Sequence, residues 1–249
     1  MGGGATRINS ILIEKHSDVE GLAQRGAELV GEVLASNPEA VVLLPAGATP
    51  IPLYAELSRR QSAGAIELSR ARLFQLDELV GVAQDDPRSF HAFLQRQFLD
   101  TIERTDHPHL LNGCASDPAA EIQRHAVQLE SLGGADLALL GIGSNGHIAF
   151  NEPGTAIDGP ARLVSLAKET RAGLEQDFPK SEMPRHGITL GIREIFAAKK
   201  IVLIATGHSK APCLRDLIRG PATQALPASL LNGHADFLVL CDEEAGQLL

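Results

Sequence analysis

The sequence predicts an α/β fold: a single doubly wound, mostly parallel sheet with helices on both faces. Three observations predict it. Short apolar runs alternate with amphipathic stretches from one end of the chain to the other. Several of those runs are apolar at every position, as expected of strands buried on both sides. The stretches between them carry helix start and stop signals, so β and α elements alternate in a Rossmann-like arrangement. A chain of 249 residues suffices for one such domain, and no repeat, linker or low-complexity segment divides residues 1–249.

The Gly-rich start MGGGATRINS carries no apolar signal core, and residues 1–6 are expected to be a disordered leader. INSILIE (8–14) reads as the first strand. Ser17-Asp-Val-Glu20 has capping-box spacing and opens a helix that ends near Asn37-Pro38. VVLLP (41–45) is a strand buried on both faces, and TPIPLYAELSRR follows with Thr49 as N-cap and Pro50 at the first helical position. ARLFQLDE (71–78) is expected as one strand and SFHAFLQRQFLDTI (89–102) as one helix. Asp117-Pro118 opens the helix of AAEIQRHAVQLESL, and Gly133-Gly134 ends it before the strand ADLALLGIG (135–143). RLVSLA (162–167) and KKIVLIATG (199–207) are further strands. SKAPCLRDLIRG is a helix stopped by Gly220-Pro221, and ADFLVLCD (235–242) closes the set.

The formal charge of −9 argues against a nucleic-acid or anionic-membrane partner, and no apolar run approaches membrane-spanning length. There is no Trp and one Tyr, Tyr54, so stacking platforms for bases are missing as well. Cys114, Cys213 and Cys241 are odd in number and far apart, which fits a reducing cytosol and no disulfide or zinc framework.

In sheets of this kind ligands sit beyond the carboxyl ends of the strands, so the residues just after each apolar run are the informative ones. In LPAGATP (44–50), the N–H groups of Gly47, Ala48 and Thr49 stand at a helix start, an arrangement that suits an anion and equally a plain capped helix. In LDELVG (76–81), Asp77 and Glu78 point to opposite faces, so only one can enter a given cleft. GIGSNGHIAFNEPG (141–154) matches G-x-G-x-x-G formally, yet Pro153-Gly154 stops any helix that a dinucleotide loop would need. What remains there is His147 with Glu152 five residues on and Asn145 two before. This is either a general acid–base unit or a histidine satisfied by backbone in a tight turn. No second His or Cys stands at metal-ligand spacing. In IATGHSKAP (204–212), Lys210 lies in the first helical turn, where a cation suits a phosphate partner better than helix stability, though a solvated lysine is the ordinary reading.

Taken together and in this order, LPAGATP, LDELVG, GIGSNGHIAFNEPG and TGHSK resemble the glucosamine-6-phosphate deaminase family over nearly the whole chain. The resemblance implies an aldose–ketose isomerase that converts an amino-sugar phosphate and water into a ketose phosphate and ammonia, with no cofactor or metal. On that resemblance Asp77 is the carboxylate that moves the C2 proton to C1. His147 opens the sugar ring with Glu152 as its partner, and Asn145 stands where many members have Asp. The phosphate would rest on Gly47, Ala48, Thr49 and Lys210, with Glu78, Gly143 and Arg171 as further substrate-side residues. Gln176 occupies the position of a usual phosphate-site Arg, and GTAIDGPAR after Glu152 keeps only Arg162 of a typical basic run. PRHGITLG (184–191), TGHSK and LPAS (226–229) are closer to the galactosamine-6-phosphate branch, so the C4 epimer stays open, as do monomer and homo-oligomer. The alternatives are a sugar-lactone hydrolase on the same fold and a non-catalytic sugar-phosphate sensor.

Overall fold

The computed structural model describes residues 5–8 and 11–249. Seven strands form one sheet: β1 (Ala5–Ile8), β2 (Ile11–His16), β3 (Val41–Leu44), β4 (Arg72–Gln75), β6 (Leu137–Leu140), β9 (Lys200–Ala205) and β10 (Phe237–Asp242). Their spatial order is β1-β2-β10-β9-β6-β3-β4, and all neighbours except β1 and β2 run parallel. Seven helices connect them: α1 (Val19–Ser36), α2 (Ile51–Ser62), α3 (Phe90–Gln97), α4 (Pro118–Ser131), α5 (Lys168–Gly173), α6 (Ile192–Phe196) and α7 (Ala211–Arg219).

The continuous apolar runs divide between two cores, because successive strand residues point to opposite faces. Val41 and Leu43 of β3 join one core, with α4, α6 and α7, while Val42 and Leu44 join the other, with α1, α2 and α3. Leu137 to Leu140 of β6 and Ile201 to Ala205 of β9 split in the same alternation. Each fully buried aliphatic side chain contributes roughly 1.5–3 kcal/mol, so two such layers hold the sheet in place.

A second, smaller sheet stands beyond the carboxyl ends of the first. It contains β5 (Asp77–Leu79), β8 (His186–Thr189) and β7 (Arg162–Ser165), in the antiparallel order β5-β8-β7. The expected strand 71–78 therefore breaks in two. Leu76 is the hand-over: its N–H still reaches the Leu44 carbonyl of β3, while its own carbonyl accepts from Leu190, just after β8. The strand expected at 162–167 exists as β7 but pairs in this small sheet and not in the parallel one.

Several local expectations shift. Asp18, not Ser17, caps α1 by accepting from the Gly21 N–H, and the Ser17 hydroxyl donates to Asp18 instead. Thr49 makes no cap bond; Pro50, already in helical backbone geometry, precedes α2, and Tyr54 Oη fixes the entry by donating to the Pro45 carbonyl at 2.6 Å. The helix expected at 89–102 stops at Gln97 and continues as a single 3-10 turn at Leu99–Thr101. Asp117 does cap α4, its carboxylate accepting from the Ala120 N–H at 3.0 Å. Of the leader expected at 1–6, Ala5 and Thr6 instead stand in a strand, pairing with Glu14 and Ile13; residues 1–4 lie outside the described residues, as do 9 and 10 of the expected strand 8–14. Among the described residues no helix is long and apolar enough to cross a membrane.

Candidate active site

The connections of β3 and β6 leave the sheet in opposite directions, so a crevice opens between their carboxyl ends. A cleft of about 410 Å³ occupies it, lined by the loop after β3 (Gly47, Thr49), the start of β5 (Asp77), the loop after β6 (Gly143, His147), α5 (Glu169, Thr170) and Lys210.

The loop after β3 turns at Gly47, whose φ of +111° suits only glycine without strain. The N–H groups of Gly47 and Thr49 find no acceptor among the described residues, and both residues line the cleft. Ala48, expected beside them, does not line it; its carbonyl instead receives the Ile51 N–H. Across the cleft, Lys210 ends a 3-10 turn (His208–Lys210) that leads into α7. Its ammonium makes no ion pair among the described residues, and burial pulls its basicity below the usual lysine range. The loop that carries it is pinned by Asp242, which accepts twice from the Gly207 N–H. A cation and free N–H groups facing one space form an anion site.

The two acids of β5 part company. Asp77 is 6 % exposed and lines the cleft, and its carboxyl accepts no hydrogen bond among the described residues. Burial pushes it well above the ordinary carboxylate range, and the nearby charges of Glu78 and Glu152 push the same way. Glu78, expected on the substrate side, is turned out of the cleft: it is wholly buried and accepts from Gln75 Nε2, the Leu79 N–H, and the Phe90 and His91 N–H groups at the start of α3. It is a scaffold residue because a helix N-terminus supplies donors that the cleft does not.

No helix follows the glycines of 141–154. The segment is an irregular loop tied down at its far end, where Phe150 packs on Gly187 and buried Asn151 donates to the Ile148 and Leu190 carbonyls. Arg162, kept from the basic run, is used up here on Asn151 and Thr155. His147 is the residue this loop presents. Its ring lies flat against Gly143, where any Cβ would overlap it, and its Nδ1 is 3.5 Å from Glu152 Oε2 and 3.3 Å from Thr170 Oγ1. Asn145 accepts from the His147 N–H at 3.1 Å and donates to Glu152 at 3.1 Å, so it braces the pair without touching the ring. Burial disfavours the Glu152 charge, but donation from His147, Thr170 and Asn145 outweighs it and brings the carboxyl down to about 2. Glu152 is thus a fixed anion that orients the imidazole.

Thr170 was not foreseen. Its hydroxyl donates to Glu152 Oε1 at 2.5 Å while lying beside His147, which places α5 in the same network. Its neighbour Arg171, expected to hold substrate, is not among the cleft-lining residues, and its Nε is buried without a hydrogen bond. Gln176 is exposed beyond α5. Among the described residues no group of three or more His, Cys, Asp or Glu is arranged to hold a metal ion.

The arrangement is an unsolvated carboxylate and a carboxylate-backed imidazole facing one cleft, with an anion site at its rim. The sequence profile described as glucosamine-6-phosphate isomerases/6-phosphogluconolactonase matches residues 14–239. The chain belongs to this family. Relatives in it include the glucosamine-6-phosphate deaminase of Rhodopirellula baltica, 39% identical with 100% of this chain and 98% of the relative covered. Glucosamine-6-phosphate deaminase 1 of Bacillus subtilis is 37% identical, with 92% of this chain and 96% of the relative covered. A solved structure of a monomeric glucosamine-6-phosphate deaminase superposes with a TM-score of 0.91 at 36% identity, covering 95% of this chain and 99% of that one. The 6-phosphogluconolactonase of Trypanosoma brucei shares the fold at a TM-score of 0.74 and 22% identity.

Proposed function

We propose that this chain is a hexosamine-6-phosphate deaminase, which converts glucosamine-6-phosphate or its galacto epimer and water into the ketose 6-phosphate and ammonia. The observation that carries the reading is that Asp77, a buried carboxyl with no donor, shares one cleft with His147, which Glu152 backs from behind. The relatives named glucosamine-6-phosphate deaminase support the same reaction.

In this mechanism the substrate phosphate rests against the Gly47 and Thr49 N–H groups and Lys210. His147, oriented by Glu152 and Thr170, removes the proton of the anomeric hydroxyl and returns one to the ring oxygen, which opens the sugar. Asp77 then takes the C2 proton and delivers it to C1, while a proton of the C2 ammonium group passes to the C1 oxygen, leaving an iminium carbon–nitrogen double bond at C2. Water adds there, ammonia leaves, and the ketone remains. A base for this step needs more basicity than an ordinary carboxylate, and burial of Asp77 supplies it. Holding carbon, base and phosphate in one geometry lowers the barrier without a cofactor. The unpaired thiols Cys114, Cys213 and Cys241 support the cytosol as its compartment.

The test is release of ammonia and ketose phosphate in equal amounts from each epimer, with 6-phosphogluconolactone as the competing substrate. Ammonia from at least one amino sugar supports the reading. Lactone hydrolysis with no ammonia from either sugar would replace it by the hydrolase.

A further inference from the structure

Glu78 lies next to the cleft base, yet faces away from the cleft. Its two oxygens receive four donors: Leu79 and Phe90 N–H on Oε1 at 2.7 and 3.0 Å, Gln75 Nε2 and His91 N–H on Oε2 at 3.0 and 2.7 Å. Burial pushes the Glu78 carboxyl above the usual carboxylate range, while its four donors pull the other way. Every neighbour donates and none accepts, so a carboxyl proton here would have no partner, and by geometry the ionised form is the one that fits. Two of the donors are the first N–H groups of α3, where the helix dipole favours an anion. Gln75 completes the frame. Its Nε2 also donates to the Asp77 carbonyl at 2.7 Å, and its Oε1 accepts from the Leu111 N–H at 2.9 Å. Phe90, held by the same carboxylate, forms part of the cleft wall.

We propose that Glu78 is a fixed buried anion which raises the basicity of Asp77 and, through Gln75, sets the position of its backbone. It is a positioning residue for proton transfer. Two adjacent buried carboxyls cannot both carry full charge cheaply, and here one is given all the donors while the other is given none. The neighbour without donors becomes the stronger base. The other titratable groups around Asp77 are Glu152 and His147 of the catalytic loop, Glu169 on α5, and Lys210 across the cleft. His91 of α3 stands beside Glu78, and His125 of α4 bonds the Gln75 carbonyl. None of these donates to Asp77.

In turnover the inference rests on the deaminase reading, but it can be measured without it. One arm follows kcat/KM against pH with glucosamine-6-phosphate for the wild type and Glu78→Gln. The acid limb should move down by about one pH unit, which a purely structural role would not cause. The other arm titrates the carboxyl carbons by NMR. On acidification of the wild type Asp77 should take a proton before Glu78, and in Glu78→Gln its titration should fall to lower pH. An acid limb and an Asp77 titration both unmoved in Glu78→Gln would overturn the proposal. So would protonation of Glu78 before Asp77 in the wild type, a result available even where the variant does not fold. Absence of turnover in the wild type would strike the deaminase reading alone, and the titration would still decide the pairing.

Discussion

Burying a carboxyl without donors costs stability only while the carboxyl is ionised, which ties Asp77 to pH. Its folded-state value is raised above the unfolded one, so below the unfolded value of 3.8 both states are protonated and there is no cost. As pH rises through the raised value, the folded state loses stability relative to a neutral isostere. Asp77→Asn should therefore abolish turnover yet stabilise the protein at pH 8 by on the order of 1–3 kcal/mol, with the gain vanishing near pH 3. Denaturant melts at the two pH values check this. Glu152 has the opposite sign. Its carboxyl is held down at about 2 from 4.5, so its contribution is present above pH 4.5 and is lost as pH falls toward 2. Glu152→Gln should cost about 2–3 kcal/mol at neutral pH and almost nothing near pH 2. Asp77, His147, Glu152 and Asn145 were legible in the sequence because each follows a strand and three of them share one short segment. Thr170 was not, because it stands 18 residues from Glu152 and no spacing rule links a helix hydroxyl to a loop carboxylate. Glu78 was legible as an acid but not as a scaffold residue, since two of its four donors come from α3, twelve and thirteen residues away.

At the scale of elements, the loop 141–154 is held at its far end, where Phe150 packs on Gly187 of β8 and Asn151 donates to the Leu190 carbonyl just after it, while Gly143 gives the imidazole a flat bed. Gly143→Ala should displace the ring and lower kcat/KM by about 100-fold or more, since a shift of about 1 Å at a reacting group has that size. The melting temperature should change little, because the strand β6 ends before this residue. Steady-state kinetics beside a thermal melt separates the two effects. The helices α1, α4 and α7 were readable from caps and stop signals. The small sheet was not, because its strands are three or four residues long and Leu76 serves both sheets without any break in the apolar pattern.

For the molecule as a whole, the parallel sheet was legible because a strand segment shared between two cores must be apolar at every position, as are β3, β6, residues 201–205 of β9 and residues 237–241 of β10. Strand order was not legible, yet it is what places the cleft: β3 and β6 are neighbours that send their chains apart. That crevice brings together residues from 45 to 210, and the proposed reaction uses groups from near both ends of that span. The most direct measurement supplies glucosamine-6-phosphate deuterated at C2 and follows ammonia, ketose phosphate and the position of the label. The account predicts equal amounts of both products, slower turnover than with the unlabelled sugar, part of the deuterium at C1, and no turnover in Asp77→Asn. Undiminished turnover in Asp77→Asn, or no ammonia from the wild type with either epimer, would contradict it.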